Sequence, residues 1–152
     1  MDELDLKILA LVQDDARQTA ERISDLIGLS PTAIQKRLKK LRDSKIIQKE
    51  IAVLDPGKLG QTMTAVVEVS LERENLSVLD AFKKRMRNAP QVQQCYYTTG
   101  EADFILVVVV KDIKAYETFT HEYFFGTPEI SKFKTSIVMD RVKVSLNVDI
   151  QK

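Results

Sequence analysis

Two groups of side chains in this 152-residue sequence have types and spacings that suggest chemistry. The first lies between Ser30 and Arg42. Ile34, Leu38 and Leu41 recur three and four apart, which marks one apolar face of a helix. Thr32, Lys36, Lys39 and Asp43 then point the other way, with Gln35 and Lys40 on the flanks. Thr32, Gln35 and Lys36 suit the edges of DNA bases, and the Gln35 amide has the fork that fits adenine. Arg37, Lys39, Lys40 and Arg42 suit phosphates, which position a protein without reading sequence. Ala33 is small enough to touch a base methyl or allow close approach, and Ser30 stands at the start as a cap. Residues 30–49 hold seven basic and one acidic side chain, whereas residues 1–29 hold three basic and seven acidic. The net charge of the whole chain is only +1, so this is a local patch on a near-neutral body. That distribution fits a directed phosphate contact. A basic helix face is often only a solvated one, so the surrounding elements have to support the reading.

The second group is Thr98, Thr99, Gly100, Glu101, Ala102 and Asp103. Hydroxyls, backbone amides and carboxylates meet there in a tight connection. The mixture suits a small zwitterion, with its carboxylate on N–H groups and its ammonium on a carboxylate or carbonyl. An ordinary hairpin turn is the alternative. Thr135 and Ser136 offer further donors on a later strand.

Other reactive types are sparse. His121 is the only histidine, without the spaced partners of a metal site. Cys95 is the only cysteine, so no intrachain disulfide forms and a reducing compartment fits. It falls in an alternating strand pattern and reads as a packing or surface residue. No nucleophile elbow, phosphate loop or dinucleotide fingerprint occurs, so neither a catalytic set nor a cofactor or metal is expected. No run reaches membrane-spanning length, and the N-terminus lacks a basic stretch followed by an apolar one. The expected location is the cytoplasm, with no membrane partner.

Three helices frame the first group. Leu4, Ile8, Leu11 and Val12 give the first an apolar side, with Asp2 or Asp5 available to cap it. Thr19 precedes the second, whose inner face is Ala20, Ile23, Leu26 and Ile27. Gly28 makes the turn, and Ser30-Pro31 opens the third helix, which runs to about Asp43. This is a helix-turn-helix pattern over residues 1–50. Ile46 to Leu54 then reads as extended, with a small wing as an option. The turn chemistry of LDPGKLG makes residues 51–61 a linker.

Beyond it the period changes. Strands are expected over Thr64–Leu71, Val92–Thr99, Phe104–Val110 and Ile130–Val138, with helices over Asn75–Arg87 and Ile113–Phe125. An additional strand is expected over Arg141–Val148. The β-α-β-β-α-β order predicts an α+β, ferredoxin-like domain over residues 62–152, with two helices on one face of an antiparallel sheet. Val66, Val107, Val109 and Ile137 make the other face too apolar to stay wet, which points to self-association as a two-fold dimer.

LDLKIL, LIGLSPTAIQKRLKKL, LDPGKLG, TGEADFILVVVV and KFKTSIVM occur in the order of landmarks of a known family. Through them nearly the whole chain resembles the leucine-responsive/asparagine-responsive (Lrp/AsnC, feast/famine) family of prokaryotic transcriptional regulators. The resemblance implies an N-terminal helix-turn-helix that binds double-stranded DNA. It also implies a C-terminal domain that dimerises and assembles into tetramers or octamers. An amino-acid effector is implied between dimers near Thr98–Asp103, with Gly100 giving close backbone approach and Asp103 orienting the loop or effector. Thr135 and Ser136 match a region that can complete such pockets. Ser44-Lys45 stands where Glu-Gly is frequent in the family, and Ala102 where a larger residue is frequent.

The leading expectation is a sequence-specific regulator modulated by a small effector. The alternative is an architectural protein that bends or wraps DNA without an effector. A third reading, an enzyme with an incidental basic helix, lacks a catalytic set.

Overall fold

The computed structural model describes residues 1–72 and 75–150, so the final two positions of the expected second domain lie outside the described residues. The chain divides into two compact units, one of residues 1–53 with the segment from Lys143 onward, the other Leu54–Val142. The division falls inside the expected linker. It differs from the sequence expectation in returning the C-terminal segment to the helical unit.

The helical unit contains α1 (Glu3–Asp14), α2 (Ala20–Ile27) and α3 (Pro31–Asp43). Asp2 caps α1, and a reciprocal bond from its own N–H to the Asp5 carboxylate completes a capping box. Thr19 and Ser30 cap α2 and α3 by accepting from Arg22 N–H and Ala33 N–H. Gly28 ends α2 at φ +80°, a left-handed stop that glycine adopts at little cost. The core is Ile8, Val12, Ile23, Ile34, Leu38 and Leu41. Leu26, expected on the inner face of α2, is instead 62% exposed.

α3 stops at Lys45, which holds φ +60°. Its N–H donates to Arg42 O at 3.0 Å, and Ile47 N–H turns back onto Leu41 O at 3.1 Å. No strand follows between residues 44 and 54, so the optional wing is not formed.

The sheet unit contains β1 (Met63–Leu71), α4 (Leu76–Asn88), β2 (Val92–Tyr97), β3 (Phe104–Val110), α5 (Ile113–Tyr123) and β4 (Ile130–Ile137). The strands are antiparallel in the order β2-β3-β1-β4. This is the expected ferredoxin-like arrangement. Alternation puts Val67, Val69, Phe104, Leu106 and Val108 at full burial, packed with Phe82 and Met86 of α4 and Phe119 of α5. The unbroken apolar run of β3 follows from its central place.

The register assigns the other face. Val66 pairs with Val107, and Thr64 with Val109, so these side chains lie opposite the helices. Ile137 pairs with Ala65 and so belongs to the helix side, contrary to the sequence expectation. The strand expected over Arg141–Val148 is also not formed, because no described strand pairs with that segment.

Candidate functional site

The cations of α3 fall into two classes. Lys36 and Lys40 are exposed and make no salt bridge to another described residue. With Thr32 and Gln35, also exposed, they form a polar face opposite Ile34, Leu38 and Leu41. Lys39 belongs to the same face and reaches Asp43 one turn on, at 2.5 Å. Both partners are largely exposed, so this pair holds the lysine weakly and leaves it available to an anion. Ala33 is half-buried at the N-terminal end, and Ser30 is engaged in capping.

Arg37 and Arg42 are held elsewhere. The Arg37 guanidinium bonds to both Asp2 oxygens at 2.9 and 2.8 Å and to Asp5 at 2.7 Å. It ties the first turn of α1 to the middle of α3. The Asp2 carboxyl is held below its ordinary range by the Asp5 N–H, then by Arg37. Burial pushes the Asp5 carboxyl upward, but the Asp2 N–H and Arg37 outweigh it, and the net shift is downward. Arg42 forks onto Glu50 at 3.2 and 2.8 Å and braces the exit from α3. The sequence placed both arginines with the phosphate contacts; the structure gives them carboxylate partners. The acidic positions 2 and 5 were the signal, but 32 residues separate Asp5 from Arg37.

The loop between β2 and β3 is built around Asp103. Thr98 N–H donates to Asp103 O at 2.9 Å, and the Thr98 hydroxyl donates to Ala102 O at 2.7 Å. Asp103 N–H donates to Val69 O at 3.0 Å, and its carboxylate accepts from Leu71 N–H at 2.6 Å. Leu71 follows the register shift at Ser70, so this carboxylate satisfies an amide that the bulge frees from the ladder. The Ser70 hydroxyl donates to Glu101 O at 3.4 Å. Thr99, Gly100 and Glu101 are exposed, and the N–H groups of residues 99–102 make no hydrogen bond to another described residue. Four open amides thus sit on a loop whose base is fastened from inside. Their chemistry suits a small anion or carboxylate.

Thr135 and Ser136 do not join this loop within one chain. They pair with Val67 and Val66, whereas Asp103 lies beyond the Val69–Phe104 pair, roughly 14 Å away across two strand spacings. Their side chains also face opposite sides of the sheet. Thr135 meets the Tyr116 hydroxyl at 2.5 Å on the helix side, and Ser136 is exposed on the other.

Sequence reasoning did not single out the surroundings of Cys95. It lines an open groove of about 400 Å³ with Lys83, Arg87, Tyr97 and Phe104. Burial pushes its thiol upward, opposed by Arg87 and Lys83. The Lys83 ammonium lies 5.0 Å from the Tyr97 ring centre.

Comparison with known proteins identifies two parts of the chain. Residues 1–42 match the AsnC-type helix-turn-helix domain, and residues 64–148 match the Lrp/AsnC ligand binding domain. The chain is 44% identical over 151 residues to the uncharacterized HTH-type transcriptional regulator y4tD of Sinorhizobium fredii, covering 99% of this chain and 89% of that one. It is 37% identical over 150 residues to transcriptional regulator AzlB of Bacillus subtilis, covering 99% and 96%. The crystal structure of transcriptional regulator NMB0573 from Neisseria meningitidis, a complex with L-Met, is similar with a TM-score of 0.90 at 28% identity. That likeness covers 97% of this chain and 96% of the other.

Proposed function

The chain belongs to the Lrp/AsnC family of helix-turn-helix transcriptional regulators, and from that premise we propose how it reads DNA and what controls it. It is a DNA-binding regulator with a ligand-binding domain, and its family is one of regulators, not enzymes. The observation that carries the proposal is the exposed face of α3, where Thr32, Gln35, Lys36, Lys39 and Lys40 stand together while Arg37 and Arg42 are occupied. Thr32, Gln35 and Lys36 read base edges in the major groove, and Lys39 and Lys40 hold phosphates. Arg37 acts indirectly, by fixing α3 against α1.

The effector is an amino acid. Its carboxylate sits on the open amides of residues 99–102, and its ammonium on Glu101 or a loop carbonyl. The complex of NMB0573 with L-Met supports this chemical class. Asp103 shapes the loop by accepting from Leu71 N–H. Thr135 and Ser136 contribute only if a second copy brings them to the loop. The open sheet face, with Ile105, Val107, Val109 and Val66 along its middle, forms the homodimer. Higher assemblies then bring loops together. Such a regulator works in the cytoplasm, where its DNA is.

The test is binding to DNA from upstream of its own gene, with and without each of the twenty amino acids, while assembly size is followed. Specific binding that shifts with one amino acid supports the full proposal. Specific binding that none of them changes favours the architectural reading. In the same assay Lys36→Glu lowers affinity about ten- to a hundred-fold at moderate salt. Unchanged affinity in the folded variant removes α3 from the DNA interface.

A further inference from the structure

The segment from Val142 to Ile150 alternates without a break. Val142, Val144, Leu146, Val148 and Ile150 are apolar, and Lys143, Ser145, Asn147 and Asp149 are polar. This is the period of a strand with one buried face. Yet Val142 is 89% exposed, Val144 60%, Leu146 73% and Val148 69%. The segment pairs with no described strand.

One of its edges is already held. The Gln13 side chain of α1 grips Val148 twice, its Nε2 donating to Val148 O at 3.2 Å and its Oε1 accepting from Val148 N–H at 3.1 Å. Asn147 Nδ2 donates to Asp14 at 2.6 Å, and Ile150 lies with Leu6 and Ala10 of α1. In an extended chain the N–H and C=O of one residue point to the same edge, and those of its neighbour to the other. Val148 therefore turns its N–H and C=O to Gln13, and a strand through residues 142–150 would carry the other even-numbered residues on that same edge. On the edge of residues 143, 145, 147 and 149 the Asn147 N–H donates to the Ser145 hydroxyl at 3.0 Å, a bond within the segment that an incoming strand replaces, and no described residue outside the segment bonds to the backbone of that edge.

We propose that this open edge pairs antiparallel with the same segment of a second copy of the chain, about a two-fold axis at Leu146. The sequence is self-complementary in that register. Val144 falls opposite Val148, Val142 opposite Ile150, and Leu146 opposite its own copy, while Ser145 meets Asn147. On the polar face Lys143 falls opposite Asp149, twice by symmetry, which selects this partner by charge as well as by apolar area. The open edge supplies the hydrogen-bonded pairs 143–149 and 145–147. Leu146 then sits at a non-hydrogen-bonded pair, where opposing side chains are closest. An axis at Ser145 keeps an Arg141–Asp149 pair but leaves Ile150 unmatched, so the Leu146 register uses more of the apolar face. A two-stranded ribbon is marginal alone. It acts together with a larger contact between the copies, and it needs neither DNA binding nor an effector.

The test uses the full chain with Cys95→Ser as background. Opposing residues of a non-hydrogen-bonded pair have the Cα separation a disulfide requires. Leu146→Cys should therefore cross-link two copies in high yield under mild oxidation. Ser145→Cys and Val142→Cys should not, because each lies too far from its own copy in this register. Lys143→Asp should cut the Leu146→Cys cross-link about five-fold or more by opposing like charges. Lys143→Asp with Asp149→Lys should restore it. Absence of the Leu146 cross-link, equal cross-linking at 142 or 145, or failure of the charge swap to rescue would each overturn the pairing. A loss of DNA binding or effector response with the cross-link intact would instead strike at the functional proposal.

Discussion

The helical unit and the sheet unit handle the polar residues that look functional in opposite ways. In α3 the most basic-looking side chains, Arg37 and Arg42, are tied into carboxylates, and the lysines and uncharged polar residues are left open. In the β2–β3 loop the Asp103 carboxylate is tied inward, and the open groups are backbone amides and the exposed Glu101 side chain. In both places a charged group bonded within the fold builds the platform, and groups without a strong internal partner face outward. Charge-assisted bonds are strong enough to fix a loop or a helix crossing. A surface that must release its ligand is better served by groups that are only partly committed.

Arg37→Ala should sharpen this contrast with the largest effect. It leaves the Asp2 and Asp5 carboxylates facing each other without a cation, and the helical unit should melt well below the parent in a thermal scan by circular dichroism. Its loss of DNA binding should follow unfolding, whereas Lys36→Glu should lose binding while staying folded. The pH dependence has a defined sign. Both carboxyls sit below their ordinary range in the folded chain, so their stabilisation is present above that range and is lost as pH falls through the depressed values. In Arg37→Ala the acid transition should begin at higher pH. An unchanged acid midpoint would deny the arginine its structural role.

In the sheet unit, Asp103→Ala removes the acceptor of Leu71 N–H and should cost about 1–2 kcal/mol by denaturant unfolding. Any effector response should weaken through loop disorder, and Asp103→Asn should recover part of it. If Asp103→Ala were as stable as the parent, the carboxylate would be free to serve a ligand, and the comparison between the two units would fail.

Lys45 offers a gain. Its φ of +60° is costly for a side chain with a Cβ, so Lys45→Gly should stabilise the helical unit by about 0.5–1 kcal/mol. The smallest effect belongs to Gly100→Ala. No heavy atom lies within 4 Å of the added methyl, and the backbone there is not left-handed, so stability should move by less than about 0.5 kcal/mol. A sharp fall in amino-acid binding, read by calorimetry in that unperturbed background, would place the ligand against the loop backbone.

The local sequence determined most of the element plan. Caps at Asp2, Thr19 and Ser30, the Pro31 start and the Gly28 stop are short-range signals; each helix of the first unit begins where they place it, and α2 ends at Gly28. Strand periods fixed the order of the second unit for the same reason. Alternation also marked Arg141–Val148 as strand-like, and the segment does alternate in sequence without finding a ladder. A period shows which side chains share a face, but a strand exists only when another chain segment supplies its hydrogen bonds. The tertiary structure decided which charges are spent, because Asp5 and Arg37 meet only after α1 and α3 pack. It also decided that Ile137 turns to the helix side, since a face is set by register against β1, which a single strand does not encode. Thr135 and Ser136 are separated from the loop on the same ground: the sequence determined their chemical types, and strand pairing determined where those types stand.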